Sequence, residues 1–233
     1  MATCFSSTPR LLIVSGLRRE AAIFAGTDAI SICGDTSALR ARLAKFNDFP
    51  LRLVISFGVC AGLDPALRRG DVILGTEVVW GGESIGADPT AANELTRRVA
   101  DLGGRLLQGR IAATEAPVLT PEAKSQLRAA TGAVAVDMES LVAGRFAKAR
   151  GAPFAILRAV SDSAHRTLPP LVLNALDSDG GVNVRAVIGE LIRSPSQLPG
   201  LVAAAVDSSA AFRVLGRCRS LARLRLDVGL PQL

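Results

Sequence analysis

The stretch VAVDMES, Val134–Ser140, is an apolar run that ends in two carboxylates, Asp137 and Glu139, with Met138 between them. FAILRAVSDS, Phe154–Ser163, repeats the arrangement and closes on Ser161 and Asp162. Runs this short and this apolar read as strands buried on both faces. Between them, MESLVAGRFAKAR reads as a helix that stops at Gly151. Strand, helix and strand in that order, each strand ending in acid, set the pattern for the chain.

The alternation continues outward. LLIVSG (Leu11–Gly16), AISICG (Ala29–Gly34), LRLVISFG (Leu51–Gly58), DVILGTEVVW (Asp71–Trp80) and the start of GRIAATEAPVL (Gly109–Leu119) read as strands. LRREAAIFAG, TSALRARLAKF, PTAANELTRRVADL, TPEAKSQLRAA and VNVRAVIGELIRS read as helices, and Thr120 is the expected N-cap before Pro121. The pattern predicts an α/β fold, a mixed central sheet flanked by helices in a three-layer sandwich. Ligands of such sheets sit beyond the carboxyl ends of the strands. Gly16, Gly58, Asp137 and Asp162 all fall there, so one cleft is expected to gather them. Each acid also reads as a helix cap.

Composition narrows the function. The 233 residues are 49% apolar, enough for one sizeable core, and 21% charged, which excludes a disordered chain. A net charge of +6 leaves nucleic acid, a membrane surface or a phosphate-bearing ligand open. With no Tyr and one Trp, a base-stacking surface is not expected, and neither is nucleic-acid binding. Cys4, Cys33, Cys60 and Cys218 are scattered and His165 is the only histidine, so no metal site is expected. Thiols of this kind fit a reducing cytoplasm. Leu11–Val14 is too short an apolar run for a signal peptide. No uninterrupted apolar stretch approaches the roughly 20 residues that span a bilayer. Phosphate-binding glycine motifs for dinucleotides or ATP are absent, as is the hydrolase nucleophile elbow.

SPSQLPG, Ser194–Gly200, reads as a linker. It divides a domain over 1–195 from a tail over 196–233. The tail carries Arg213, Arg217, Arg219, Arg223 and Arg225 at helical spacings among Val, Leu and Phe. Two readings stand: a helix lying on a membrane surface, or one packed on the domain or on a partner subunit.

ISFGVCAGLDPALRRGDVIL (Ile55–Leu74), then VDMES, then RAVSD form a series that resembles the purine nucleoside phosphorylase and methylthioadenosine nucleosidase superfamily, from about Leu11 to about Ile192. With its basic tail the chain looks most like the hopanoid-associated phosphorylase branch, whose proposed substrate is the adenine-bearing lipid adenosylhopane. The resemblance implies a role for each residue. Asp162, next to Ser161, protonates the leaving purine at N7. Glu139 grips the ribose hydroxyls and Met138 packs on the sugar. Gly58 and Val118 line the substrate pocket, with Leu119 beside Val118. In the nucleosidase branch Glu20 activates water and Arg158 helps to hold it. In the phosphorylase branch Gly16 and Arg18 bind phosphate, a part Arg19 could share. Two positions depart from the family: Ser56 stands where trimeric-type phosphorylases carry arginine, and Val59 where serine is usual. Cys60 is expected as a small buried side chain. His165 is either a ligand contact from a loop or an exposed loop residue.

The expectation is phosphorolytic release of adenine, with inorganic phosphate as co-substrate and no other cofactor. Hydrolysis is the alternative, and a non-catalytic nucleoside or lipid binder the third reading. A cytoplasmic homo-oligomer is expected, with peripheral contact to the inner membrane as one of the two readings of its tail.

Overall fold

The computed structural model describes residues 9–100, 105–174 and 177–224. The strands are β1 (Arg10–Ser15), β2 (Ile30–Cys33), β3 (Leu51–Gly62), β4 (Val72–Trp80), β5 (Glu83–Gly86), β6 (Leu106–Ala113), β7 (Ala135–Asp137) and β8 (Phe154–Asp162). The α-helices are α1 (Arg18–Ala21), α2 (Thr36–Leu43), α3 (Pro89–Ala100), α4 (Pro121–Thr131), α5 (Ser140–Arg150), α6 (Val184–Arg193) and α7 (Leu198–Arg217). Thr120 caps α4 by accepting from Ala123 N at 3.2 Å. Gly151 ends α5 in the left-handed region at φ 60°, where a Cβ would be strained.

The sheet is mixed. β2, β1, β3 and β8 run parallel in that order. β8 then meets β4 antiparallel, and β4 pairs with β6 in parallel. β6 pairs with β7 in parallel, and β7 returns antiparallel to β3. Five strands, β3, β8, β4, β6 and β7, therefore close into a ring, with β1 and β2 as an extension and β5 hairpinned on β4. The length of β3 makes the closure possible. One edge of β3 pairs with β1 over Leu51–Ser56 and with β7 over Ala61–Gly62, while the other edge takes β8. The sequence reading ended β3 at Gly58. The strand continues through VCAG because the next four residues are still small or apolar, Val59–Ala61 pairing with β8 and Gly62 with β7.

Successive side chains along a strand point to opposite faces, and each face has its own cover. Leu11, Ile13, Ile55 and Leu157 face α3 residues Leu95 and Val99 and the C-terminal residues Ala211, Leu215, Cys218 and Leu221. Leu12, Val14, Val54 and Ile156 face Leu39 and Leu43 of α2 and Val142, Ala143 and Ala147 of α5.

The segment after the expected linker thus supplies one cover of the sheet as far as Leu224. Asp207 of α7 is buried and ion-paired with both Arg69 and Arg166. Arg219 donates to Ile23 O at 2.7 Å and Ala25 O at 2.6 Å, and Arg19 stacks on Phe212 with its guanidinium carbon 4.1 Å from the ring centre. The helical stretch Pro195–Arg223 is long and apolar enough to cross a membrane by length and composition. Asp207, Ser208, Ser209 and Arg213 interrupt its apolar residues, so no uninterrupted run of spanning length marks it in the sequence. Its second half is built into the core. Cys4 and Arg225 lie outside the described residues.

Candidate active site

A cavity of about 190 Å³ opens where β3, β7 and β8 end and α1 begins. Its lining includes Gly16, Glu20, Val118, Met138, Glu139, Ser161 and Asp162 from the expected set, with Val59, Cys60, Thr114, Asp137, Leu168 and Val172. Four of the lining residues are carboxylates and none is Lys or Arg.

Glu20 is buried at 1% exposure on α1, a helix of one turn. Its Oε2 accepts from Gly16 N at 3.1 Å and Leu17 N at 2.9 Å, and its Oε1 from Val59 N at 2.7 Å. Burial raises the carboxyl above its ordinary value, against the attraction of Arg158 and these three N–H groups. The seat exists because residue 58 is glycine. A Cβ there would overlap the Glu20 carboxylate, and a Cβ on Gly16 would overlap that of Glu139. Gly58 thus serves the site from behind, making room for an acid, while Val59, Cys60 and Ala61 form the wall.

Arg158 lies beneath the cavity and is fully buried in β8. Its Nε sits 2.6 Å from Asp137 Oδ2, an ion pair, and its Nη1 donates to Glu139 Oε2 at 3.2 Å. Nη2 donates to Ser56 Oγ at 2.5 Å and to Ser140 Oγ at 3.3 Å. Ser56, small and buried, leaves space for this guanidinium. Asp137 also accepts from Ser140 N at 3.1 Å and from the Ser140 hydroxyl, so it caps α5 and anchors Arg158.

Glu139 stands at the start of α5, where the helix favours an anion. Desolvation is the larger effect: it pushes the carboxyl up to about 7, opposed by Arg158 and reinforced by Asp137 and Glu20. Burial also holds the Cys60 thiol well above its ordinary value, so Cys60 is not a nucleophile here.

Asp162 Oδ1 lies 2.7 Å from Ser161 Oγ, which also lies 3.1 Å from Cys60 O. Asp162 Oδ2 accepts from Lys124 Nζ at 2.5 Å. Lys124 is fully buried and was not anticipated, because in TPEAKSQLRAA it reads as part of a solvated helix face.

Arg18 lies apart from these residues. Its side chain is 58% exposed and pairs with Asp179 at 3.2 Å, which Arg42 also holds. Arg19 is on Phe212. His165 is exposed and faces a separate groove of about 490 Å³ lined by Pro65, Pro121 and Arg128. That groove is larger than the cavity, but Arg128 there is committed to Asp64 and no carboxylate lines it. Among the described residues no group of His, Cys, Asp and Glu could hold a metal ion.

Three solved structures share this architecture at low identity. A mutant methylthioadenosine nucleosidase from Helicobacter pylori, with 5′-methylthioadenosine in its active site, matches with a TM-score of 0.61 at 17% identity, over 68% of this chain and 87% of that one. Futalosine hydrolase from the same organism matches at 0.61 and 16%, over 67% and 89%. The 5′-methylthioadenosine/S-adenosyl homocysteine nucleosidase of Campylobacter jejuni matches at 0.61 and 19%, over 92% and 100%. The sequence profile of the phosphorylase superfamily covers residues 7–193, which hold every site residue named above. By that match, with the closed five-strand ring and the acids at its strand ends, the chain belongs to the phosphorylase superfamily.

Proposed function

We propose that the chain cleaves the N-glycosidic bond of an adenine nucleoside, with water as the acceptor. One observation carries the choice of water. The acid Glu20 is held inside the cavity by three N–H groups, whereas Arg18, the expected phosphate ligand, lies outside on Asp179. A phosphate dianion would face four carboxylates and no basic side chain in the lining. This reverses the preference for phosphorolysis drawn from the branch resemblance.

The chemistry follows from the geometry. As the bond to the base stretches, the sugar becomes cationic and the base anionic. Asp162 delivers a proton to the base, which makes it a better leaving group. Glu139 accepts the ribose hydroxyls and, as an anion, stabilises the cationic sugar. Met138 packs beside it. Glu20 takes the proton of the attacking water, and its raised pKa makes it a stronger base than an ordinary carboxylate. Arg158 keeps the acids together without titrating itself.

Adenine release measured by chromatography with and without phosphate tests this. Release without phosphate is expected. Release only with phosphate would restore phosphorolysis with Gly16 and Arg18 as its site, and no release from any adenine nucleoside would leave a binder.

A second reading concerns the substituent on the sugar, for which we propose an apolar 5′ group such as that of adenosylhopane. Leu168 and Val172 give the cavity an apolar wall, and the turn holding Val172 packs on α6. On α6, Val184, Ile188 and Ile192 are exposed at four-residue spacing, and Leu198, Val202 and Val206 repeat the spacing on α7. This aliphatic ladder, rather than the arginines of the tail, is the face offered to a membrane. A cytoplasmic homo-oligomer working at the inner membrane is proposed with it. A lower KM for a 5′-alkylated nucleoside than for adenosine, and flotation with anionic liposomes that is lost in Ile188→Glu/Val202→Glu, are the expected results.

A further inference from the structure

Lys124 is fully buried, and its ammonium has three acceptors: Asp162 Oδ2 at 2.5 Å, Ser163 O at 2.9 Å and Arg166 O at 3.0 Å. An ammonium has three protons, so every donor is used. The other oxygen of Asp162 is 2.7 Å from Ser161 Oγ. The hydroxyl of Ser161 has one proton and two acceptors in reach, Asp162 Oδ1 and Cys60 O. When it turns to Asp162, the carboxylate is ionised and doubly bonded. When it turns to Cys60 O, its lone pairs face Oδ1, and a proton on Asp162 is accommodated. Asp162 thus has a buried ammonium on Oδ2 and a rotatable hydroxyl on Oδ1.

We propose that Lys124 is a positioning residue that recharges Asp162 with the proton given to the leaving base. The inference rests on the proposed glycosidic cleavage. In the step, an Nζ–H bond of Lys124 breaks as an O–H bond forms on Asp162. The Asp162 proton passes to the base nitrogen as the electron pair of the C1′–N bond moves onto the base. Lys124 ends as a neutral amine, Asp162 as a carboxylate and the base neutral. Water adds to the sugar cation and its proton goes to Glu20. Glu20 has gained one proton and Lys124 has lost one, and solvent restores both.

A bond that only pins the 163–166 segment would not depend on the leaving group, and this separates the two roles. Lys124→Met keeps the stem and removes the ammonium. Lys124→Arg keeps the charge but does not give up a proton. Each is assayed on adenosine and on 4-nitrophenyl riboside, whose phenolate departs without a proton. Losses of about 10²–10⁴-fold in kcat on adenosine, with KM within a few-fold and less than tenfold loss on the nitrophenyl riboside, are expected. In an Asp162→Asn background, Lys124→Met should cost little more, since the two residues act as one unit. Equal losses on both substrates would overturn the relay and leave Lys124 structural. If neither variant folds, the wild-type chain still decides. In mixed light and heavy water its rate on adenosine should fit two more moving protons than its rate on the nitrophenyl riboside, and a difference of one would overturn the relay. A wild-type chain inert on every riboside would instead overturn the functional reading, and the relay with it.

Discussion

Arg158→Met is the most demanding test of the charge arrangement. The guanidinium is fully buried and touches Asp137, Glu139, Ser56, Ser140 and Val59 O. Methionine fills much of the space and satisfies none of these groups. Removing one partner of a buried ion pair typically costs about 3–5 kcal/mol, because the remaining charge is left unpaired. For a chain of this size each kcal/mol moves the melting temperature by about 2–4 °C, so the expected loss is roughly 6–20 °C. The loss also has a pH signature. Arg158 lowers the carboxyls of Glu20 and Glu139, and without it both rise further above 4.5. A carboxyl whose folded pKa is raised stabilises the fold at low pH and loses that contribution as pH rises through its folded value. The gap between wild type and variant should therefore widen from pH 5 to pH 8. Differential scanning calorimetry at the two pH values reads it directly. A loss below 2 °C, or a gap that narrows as pH rises, would refute the reasoning.

Other outcomes follow from the same geometry. Gly58→Ala places a methyl on the Glu20 carboxylate and should cut turnover by about 10²–10⁴-fold, as Glu20→Gln does, and steady-state kinetics of both variants compares them. The acid limb of kcat/KM should include a step near pH 7, where Glu139 gains its proton and stops accepting both ribose hydroxyls; in Glu139→Gln that step should be lost, leaving only the limb set by Glu20. Asp162→Asn should lose about 10²–10⁴-fold on adenosine and far less on a riboside whose leaving group needs no proton. A maleimide reagent at pH 8 should label partly exposed Cys33 in the native chain well before Cys60, and mass spectrometry gives the order.

The ring strands and their terminal acids were legible because an apolar run with an acid at its end has few other uses. Arg158 enters only through the family resemblance, as a residue that holds water; its place beneath the cavity, paired with Asp137 and Glu139, is a contact that no local spacing records. Four other features were harder to read. The hairpin strand β5 is only ESIG, too short and polar to stand out, with Gly81 and Gly82 before it as its one local signal. Gly58 looks like the end of a strand, and its function depends on a carboxylate 38 positions earlier. Lys124 is likewise 38 residues from Asp162, so no local spacing records the pair. Ser56 and Ser140 seat a guanidinium, yet in sequence they are unremarkable hydroxyls.

The closed ring holds part of the cavity wall in its ladder: Val59 and Cys60 pair with β8, and Ser161 and Asp162 stand at the end of β8 beside β3. Outside it the wall includes the start of α1, with Glu20, the start of α5, with Glu139, and two connections, one holding Thr114, Pro117 and Val118, the other Leu168 and Val172. The two connections are tied to each other by Leu168 N donating to Leu119 O at 2.9 Å. One backbone bond thus joins two connections of the wall, and the acids reach the cavity from three separate elements: Asp162 from the ring, Glu20 from α1 and Glu139 from the start of α5.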